Sequence, residues 1–216
     1  MRTLTSTLLA AQKKASATPY VKVEVLDAIA GVPRPSFTRL YTGSEADFYH
    51  DATCPGDGSL VRARVDPSDN HLYVQRVANP GPSSNFSSWS YLNTVSSGSS
   101  ISLVSQGASV HLFYVAPDGP DMFRRESSDY GATWSSPIHV LNPAVAGVSW
   151  LAAAISAAGK LALFYASSSH VVYFIKLNGY WSNSQWWTNT VASITGMDCL
   201  YQGDWNLVIT GTDSSS

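Results

Sequence analysis

The chain has 216 residues, a formal net charge of -2 and 13% charged residues, against roughly 25% in ordinary soluble domains. Its lysines and arginines are not clustered, so the chain has no electrostatic attraction for a phosphate backbone, and a nucleic-acid binder is excluded. A hydrophobic share of 44% and an aromatic share of 12% permit a sizeable core and exclude a disordered chain.

The N-terminus predicts a short amphipathic helix over about residues 3–16. Leu4, Leu8 and Ala11 share one face at the i, i+4, i+7 spacing, and Pro19 ends the pattern. The apolar run is interrupted too often for a signal peptide, and no stretch reaches the ~20 apolar residues that a membrane span needs. A one-faced helix buries that face against its own domain, a partner or a second copy, so a homo-oligomer is expected.

Two extended segments follow the helix. Residues 20–25 alternate apolar and polar side chains, which predicts a strand, and residues 37–41 resume the pattern after a region rich in proline and glycine. We therefore divide the chain into an attachment segment, residues 1–47, and a repeat-built β domain, residues 48–216.

From residue 48 onward the sequence repeats with a period of about 50 residues. The clearest unit is an apolar strand that follows a turn signal, and Leu-Phe-Tyr recurs in two of its copies. These strands are predicted at residues 59–65, 109–115, 160–166 and 206–212. Their apolar residues occupy both faces, which is typical of a strand packed between two sheets.

Each repeat also predicts three further strands. An apolar run precedes the strands just described, and another strand and a Trp-bearing closing strand follow them. The preceding runs are 101–104 and 151–155; the following strands are 71–77, 121–125 and 170–175; the closing tryptophans are Trp89, Trp134 and Trp187. Four short strands per repeat predict an all-β fold, a β-propeller of four-stranded blades, with three blades and the start of a fourth.

One turn carries a recognisable pattern, Ser-x-Asp-x-Gly-x-Thr-Trp, at Ser127, Asp129, Gly131, Thr133 and Trp134. The Asp side chain accepts N–H bonds within its own turn, Gly permits positive φ, and Trp fixes the turn to a core. The pattern resembles the Asp-box (BNR) repeat of sialidase-like β-propellers. That resemblance implies a structural turn between the third and fourth strands of a blade.

The resemblance also implies six blades. Residues 48–193 hold three repeats and residues 194–216 hold half of a fourth. We expect the sequence to be the front portion of a longer product; the alternative is a ring closed by assembly of several chains.

Sialidase chemistry, as the resemblance implies it, needs an arginine triad, a Tyr/Glu nucleophile pair and an Asp acid facing the channel. The predicted inner strands at 101–104 and 151–155 carry no charge, and the arginines fall on other strands. Asp51 and Asp198 lie near inner strands, but two such residues are close to chance. We assign no catalytic residue and keep an exo-sialidase-like glycoside hydrolase as an alternative.

A binding site is predicted from aromatic residues in the third repeat. Tyr180, Trp181 and Trp186 flank Asn, Gln and Ser residues, and aromatic faces stack on sugar rings while amides reach hydroxyl groups. The alternative is that the two tryptophans cover a sheet edge. The five histidines show no ligand spacing, and Cys54 and Cys199 form no framework, so neither a metal site nor a cofactor is expected.

The first 60 or so residues are weakly similar to the N-termini of bacteriophage tail and fibre proteins. We therefore predict a non-catalytic virion-type structural or surface-binding protein that displays a glycan-recognising propeller. Residues 1–47 would contact other tail subunits, and the location would be the virion or extracellular. A secreted propeller lectin is a further alternative.

Overall fold

The structure is a computed structural model. It describes residues 49–78, 80, 88–96, 100–117, 121–141, 148–167, 171–177, 181–188, 191–201 and 205–213. Side chains are described between 51 and 166 within these ranges, except at 141, and at 197–199. The predicted N-terminal helix and the attachment segment, residues 1–47, lie outside the described residues.

The described residues form fourteen β-strands and no helix. The strands are β1 (Tyr49–Thr53), β2 (Leu60–Asp66), β3 (His71–Val77), β4 (Ser90–Thr94), β5 (Ser102–Gln106), β6 (Ser109–Val115), β7 (Met122–Ser127), β8 (Ile138–Leu141), β9 (Val148–Ile155), β10 (Leu161–Ser167), β11 (Val171–Leu177), β12 (Trp181–Thr188), β13 (Val191–Tyr201) and β14 (Trp205–Asp213).

The strands form four antiparallel sheets in chain order. Sheet 1 is β1–β4, sheet 2 is β5–β8, sheet 3 is β9–β12, and sheet 4 is the pair β13–β14. Every neighbouring pair within a sheet is antiparallel, and strands that are consecutive in the chain are neighbours in each sheet. The turn before each of β2, β6 and β10 contains a glycine with positive φ, at Gly58, Gly107 and Gly159.

The sheets stack face to face through three apolar clusters. Val61, Ala63 and Val65 of sheet 1 meet Val110, Leu112 and Tyr114 of sheet 2. Phe113 and Val115 meet Leu161, Leu163 and Tyr165 of sheet 3, and Ala162, Phe164 and Ala166 meet Cys199 of sheet 4. Since successive residues of β6 and β10 point to opposite faces, both strands are buried on two sides.

The first strands of neighbouring sheets lie side by side. The Asp51 carboxylate on β1 accepts the main-chain N–H of Leu103 on β5 at 2.7 Å. One sheet further on, the Ser102 hydroxyl accepts the N–H of Ala153 on β9 at 2.9 Å. These side-chain oxygens satisfy donors on strand edges that would otherwise be unpaired. Because β13 packs against β9 as well, the four first strands surround a common centre.

The turn of residues 127–134 lies between β7 and β8. Asp129 accepts the Thr133 N–H at 2.8 Å, the Thr133 hydroxyl at 2.7 Å and the Ser127 hydroxyl at 2.7 Å. The Thr133 N–H is the main cause that lowers the pKa of Asp129 to about 2. Gly131 has φ +83°, and Trp134 packs on the cluster between sheets 1 and 2.

The prediction of Trp-bearing closing strands is wrong for two of three sheets. Trp89 and Trp134 precede β4 and β8, and only Trp187 lies within its closing strand, β12. The two displaced tryptophans have other contacts: Trp134 packs on the core beside its turn. Trp89 lies against the Arg62 and Arg64 guanidinium groups, 4.9 and 4.6 Å from its ring centroid.

Candidate functional site

A cavity of about 310 Å³ lies at the centre, between the first strands of all four sheets. This volume is at the lower end of the range for small-molecule sites. Its described lining residues are Asp51, Ala52, Thr53, Ser102, Leu103, Val104, Ser105, Ala153, Ala154, Ile155, Asp198 and Cys199. A cavity that collects the same strand from successive repeats can present several polar groups to one ligand.

Asp51 is the most strongly perturbed acid of the cavity. Its partly buried side chain is removed from water, which raises the pKa of Asp51 to about 7, and the nearby Asp198 carboxylate adds to this effect. Hydrogen bonds from the N–H groups of Leu103 and Ala52, at 2.7 and 2.8 Å, favour the carboxylate but do not cancel the effect of burial. Asp51 therefore changes charge near neutral pH.

Asp198 and Cys199 complete the cavity from β13. The Asp198 carboxylate accepts the Cys199 N–H at 2.8 Å, and its side chain is open to the cavity. The protein around that opening still restricts its access to bulk water, and this burial raises the pKa of Asp198. Burial also raises the pKa of the Cys199 thiol, with further contributions from both carboxylates. The two aspartates noted in the sequence thus line one cavity.

Three hydroxyl groups contribute hydrogen-bonding capacity. The Thr53 and Ser105 hydroxyls are hydrogen-bonded to each other at 2.6 Å, and the Ser102 hydroxyl accepts a main-chain N–H. In the first contact one hydroxyl donates its hydrogen to the other, so one hydrogen of the Thr53–Ser105 pair can still donate to a ligand; the Ser102 hydroxyl uses only a lone pair and keeps its hydrogen. None of the described residues that line the cavity is basic, so the arginine triad implied by the sialidase resemblance is not found among them.

A second candidate surface lies on sheet 1, facing away from sheet 2. We call it the Tyr91 surface and define it as Arg64, Asp69, His71, Tyr73 and Tyr91. Tyr91 is 55% exposed, and its ring contacts the rings of His71 and Tyr73 edge-on at 4.8 and 6.1 Å. Asp69 accepts the Tyr73 hydroxyl at 3.1 Å, and the Arg64 guanidinium lies 5.5 Å from the Tyr73 ring centroid.

The Tyr91 surface lies on a face of sheet 1 whose counterparts in sheets 2 and 3 are buried. In sheets 2 and 3, the faces turned toward the preceding sheet are apolar and buried, with Leu112 and Leu163 among their residues. On the corresponding face of sheet 1, β2 carries Arg62 and Arg64, so the prediction of apolar residues on both faces is wrong for this strand. Sequence analysis missed this surface, although the alternation of arginine with apolar residues in β2 was a usable signal.

The predicted glycan-binding residues are only partly placed. Trp181 and Trp186 lie in β12, the last strand of sheet 3. Tyr180 lies outside the described residues, as do the side chains of both tryptophans.

No described helix could cross a membrane. Within the same described ranges, no three His, Cys, Asp or Glu side chains are grouped so that they could hold a metal ion.

No protein-family model matches the sequence, and no curated protein matches it either. Solved structures do match. The SapL1 lectin in complex with alpha methyl fucoside superimposes with a TM-score of 0.57 at 10% identity, over 81% of this chain and 69% of that one. The six-bladed β-propeller lectin of Aleuria aurantia, described with a novel fucose recognition mode, gives 0.53 at 12% identity, over 76% of this chain and 54% of that one.

The chain has a β-propeller fold. A mutant of NanB sialidase from Streptococcus pneumoniae shares it, with a TM-score of 0.53 at 14% identity over 76% of this chain. The chain spans about half of the Aleuria aurantia lectin and 28% of the sialidase. The fold is therefore similar to that of lectins and to that of an enzyme. The fold alone does not distinguish sugar binding from catalysis, so a proposal has to rest on the residues of this chain.

Proposed function

We propose that this propeller is a non-catalytic glycan-binding protein. The observation that carries the proposal is the Tyr91 surface, where an exposed aromatic ring lies among hydrogen-bonding side chains. The fucose-binding lectins that share the fold support it, because the same architecture serves sugar recognition there.

The chemistry of the Tyr91 surface suits a sugar ring. The Tyr91 ring can stack on the apolar C–H face of a pyranose, because the residue is 55% exposed. Asp69 supplies acceptor oxygens, and the Thr94 hydroxyl lies 3.3 Å from the Tyr91 hydroxyl. A few polar groups beside an aromatic platform fix the orientation of a hydroxyl-rich ligand.

The proposal has three finer parts. Tyr180, Trp181 and Trp186 form a second glycan contact on sheet 3. The turn of residues 127–134 is a structural Asp box. Residues 1–47 attach the propeller to other subunits of a virion tail, which places it on the virion or outside the cell; a secreted lectin would bind glycans in the same way without that attachment.

Glycoside hydrolysis is the second candidate, and the Asp51 and Asp198 pair favours it. Such enzymes use a general acid of raised pKa beside a second carboxylate; Asp51, whose pKa is raised to about 7, and Asp198 line one cavity. The described lining lacks any basic side chain that would pair with a sialic acid carboxylate. Turnover of fluorogenic sialosides or fucosides that disappears in Asp51→Asn would establish this candidate in place of the lectin.

The lectin proposal predicts that Tyr91→Ala weakens glycan binding at least ~5-fold, because truncating a stacking aromatic typically costs more than about 1 kcal/mol. Binding is measured on a glycan array and then by calorimetry with the best ligand. Tyr91→Phe is the matched control and should keep most of the affinity, since it retains the ring.

Trp181→Ala and Trp186→Ala test the predicted sheet 3 contact in the same assay. If these two variants lose glycan binding and Tyr91→Ala keeps it, the glycan site lies on sheet 3 and not at the Tyr91 surface. Absence of binding to every glycan by the wild-type chain would contradict the lectin function altogether.

A further inference from the structure

The central cavity is lined by acidic side chains and, among the described residues, by no basic one, whereas the Tyr91 surface includes Arg64. Its described titratable groups are the Asp51 and Asp198 carboxylates and the Cys199 thiol. The described cavity residues from β5 and β9 are serine, alanine and larger aliphatic residues, so those two strands add no charge there. With both carboxylates ionised, the described lining carries two negative charges and no positive one.

We propose that this cavity binds a small hydroxyl-bearing organic cation, of the class of hexosamines with a free amino group. The Asp51 and Asp198 carboxylates hold the ammonium group, while the Ser102 hydroxyl and the hydroxyl of the Thr53–Ser105 pair that accepts their mutual hydrogen bond donate to hydroxyl oxygens of the ligand. This site is separate from the glycan-binding Tyr91 surface and does not depend on it.

Electrostatics decides the sign of the ligand charge. An anionic sugar would bring a third negative charge to two carboxylates that are partly removed from water. A cation instead compensates both charges. The raised pKa values of Asp51 and Asp198 agree with this, since they show that the ionised pair is destabilised in the free protein. A bound cation favours the ionised form, so binding near neutral pH releases a proton from Asp51.

Size and donor set favour an organic cation over a metal ion. The cavity of about 310 Å³ can hold a monosaccharide. Calcium takes six to eight oxygen ligands. The side-chain oxygens of the described lining belong to two carboxylates and three hydroxyls, and both carboxylates already accept main-chain N–H bonds. The hydroxyls that still have a hydrogen to donate find acceptor oxygens on an amino sugar and none on a bare ion.

The test is calorimetry on the whole chain with D-glucosamine, D-glucose, D-glucuronate and calcium chloride as separate probes. We expect glucosamine to bind at least ~10-fold more tightly than glucose, the gain from about one charge-assisted hydrogen bond, and glucuronate not to bind. The affinity for glucosamine should peak between pH 7 and 8. Below this window Asp51 takes up its proton, and above it the ligand amine loses its own near pH 8, as an α-amino group does.

Variants then locate the site. Asp198→Asn, at the open wall of the cavity, should reduce glucosamine affinity at least ~10-fold. Asp121→Asn, which removes a carboxylate outside the cavity, should leave it unchanged; circular dichroism checks that both variants fold. The wild-type selectivity and pH profile serve as readouts that do not depend on any variant folding.

Three outcomes would overturn the proposal: glucose and glucosamine bind equally, calcium displaces glucosamine at micromolar concentration, or no probe binds. None of these outcomes concerns the Tyr91 surface, whose glycan binding is read from the Tyr91→Ala comparison. Failure of the cavity proposal is therefore distinguishable from failure of the lectin function.

Discussion

Replacing Gly131 by Ala should lower the free energy of unfolding by about 2–4 kcal/mol, the largest effect we expect from a single methyl group. Gly131 has φ +83°, where an L side chain is strained. A Cβ at this position would also lie 2.7 Å from the Val61 Cγ2 atom, which belongs to the neighbouring sheet and is fully buried. The measurement is urea unfolding followed by circular dichroism.

Gly58→Ala is the matched control for this change. Gly58 has a similar φ of +77°, but its added Cβ would meet nothing within 4 Å. It should therefore show only the backbone cost of roughly 1–2 kcal/mol. In a Val61→Ala background, Gly131→Ala should become nearly as mild as Gly58→Ala. Equal effects of Gly131→Ala and Gly58→Ala in the wild-type background would mean that the turn of residues 127–134 does not pack on sheet 1.

Asp51→Asn should raise the free energy of unfolding at pH 8 by about 2–4 kcal/mol and change how this free energy depends on pH. The pKa of Asp51 is raised from its ordinary value of 3.8 to about 7 in the folded state. A raised carboxyl pKa means that the contribution to stability is fully present below about pH 4 and is lost as the pH rises through 7. The amide of Asn keeps an acceptor for the Leu103 N–H and cannot ionise, so the variant should not show this loss.

Urea unfolding at several pH values between 4 and 8 measures the difference between the variant and the wild type. Asp129→Asn is the control, because the pKa shift of Asp129 is opposite in direction to that of Asp51. The pKa of Asp129 is lowered to about 2, so its carboxylate stabilises the fold above the unfolded value and loses that effect as the pH falls. A difference between Asp51→Asn and wild type that stays constant from pH 4 to pH 8 would show that Asp51 is not buried in the cavity.

Local patterns in the sequence were sufficient to predict the second and third strands of each repeat. The middle strands β6 and β10 could be placed because residues on both of their faces are apolar, and the glycine before each marks a tight turn. The Trp-bearing strands were misplaced, because a tryptophan that packs from a loop has the same sequence signature as one that packs from a strand. Trp134 reaches the core from its turn.

The sites were harder to predict because they depend on contacts between sheets. Asp51 and Asp198 are far apart in the chain, and only the side-by-side arrangement of β1, β5, β9 and β13 brings them to one cavity. The Tyr91 surface was missed for a related reason. Arginine alternating with valine and alanine in β2 reads as a strand with one solvated face, and nothing local shows that equivalent positions are buried in sheets 2 and 3.

The central claim is that the first strands of successive sheets lie side by side around the cavity. Its most direct test is a disulfide between Thr53→Cys and Ser105→Cys, made in a Cys54→Ser, Cys199→Ala background. The two native hydroxyl oxygens are 2.6 Å apart on β1 and β5, so the replacing sulfurs are placed to bond.

Gln106→Cys paired with Thr53→Cys is the control, because Gln106 instead hydrogen-bonds to main-chain carbonyls of sheet 3. Loss of both free thiols in the first pair and retention in the second is the predicted result; free thiols in both pairs would contradict the arrangement of the sheets.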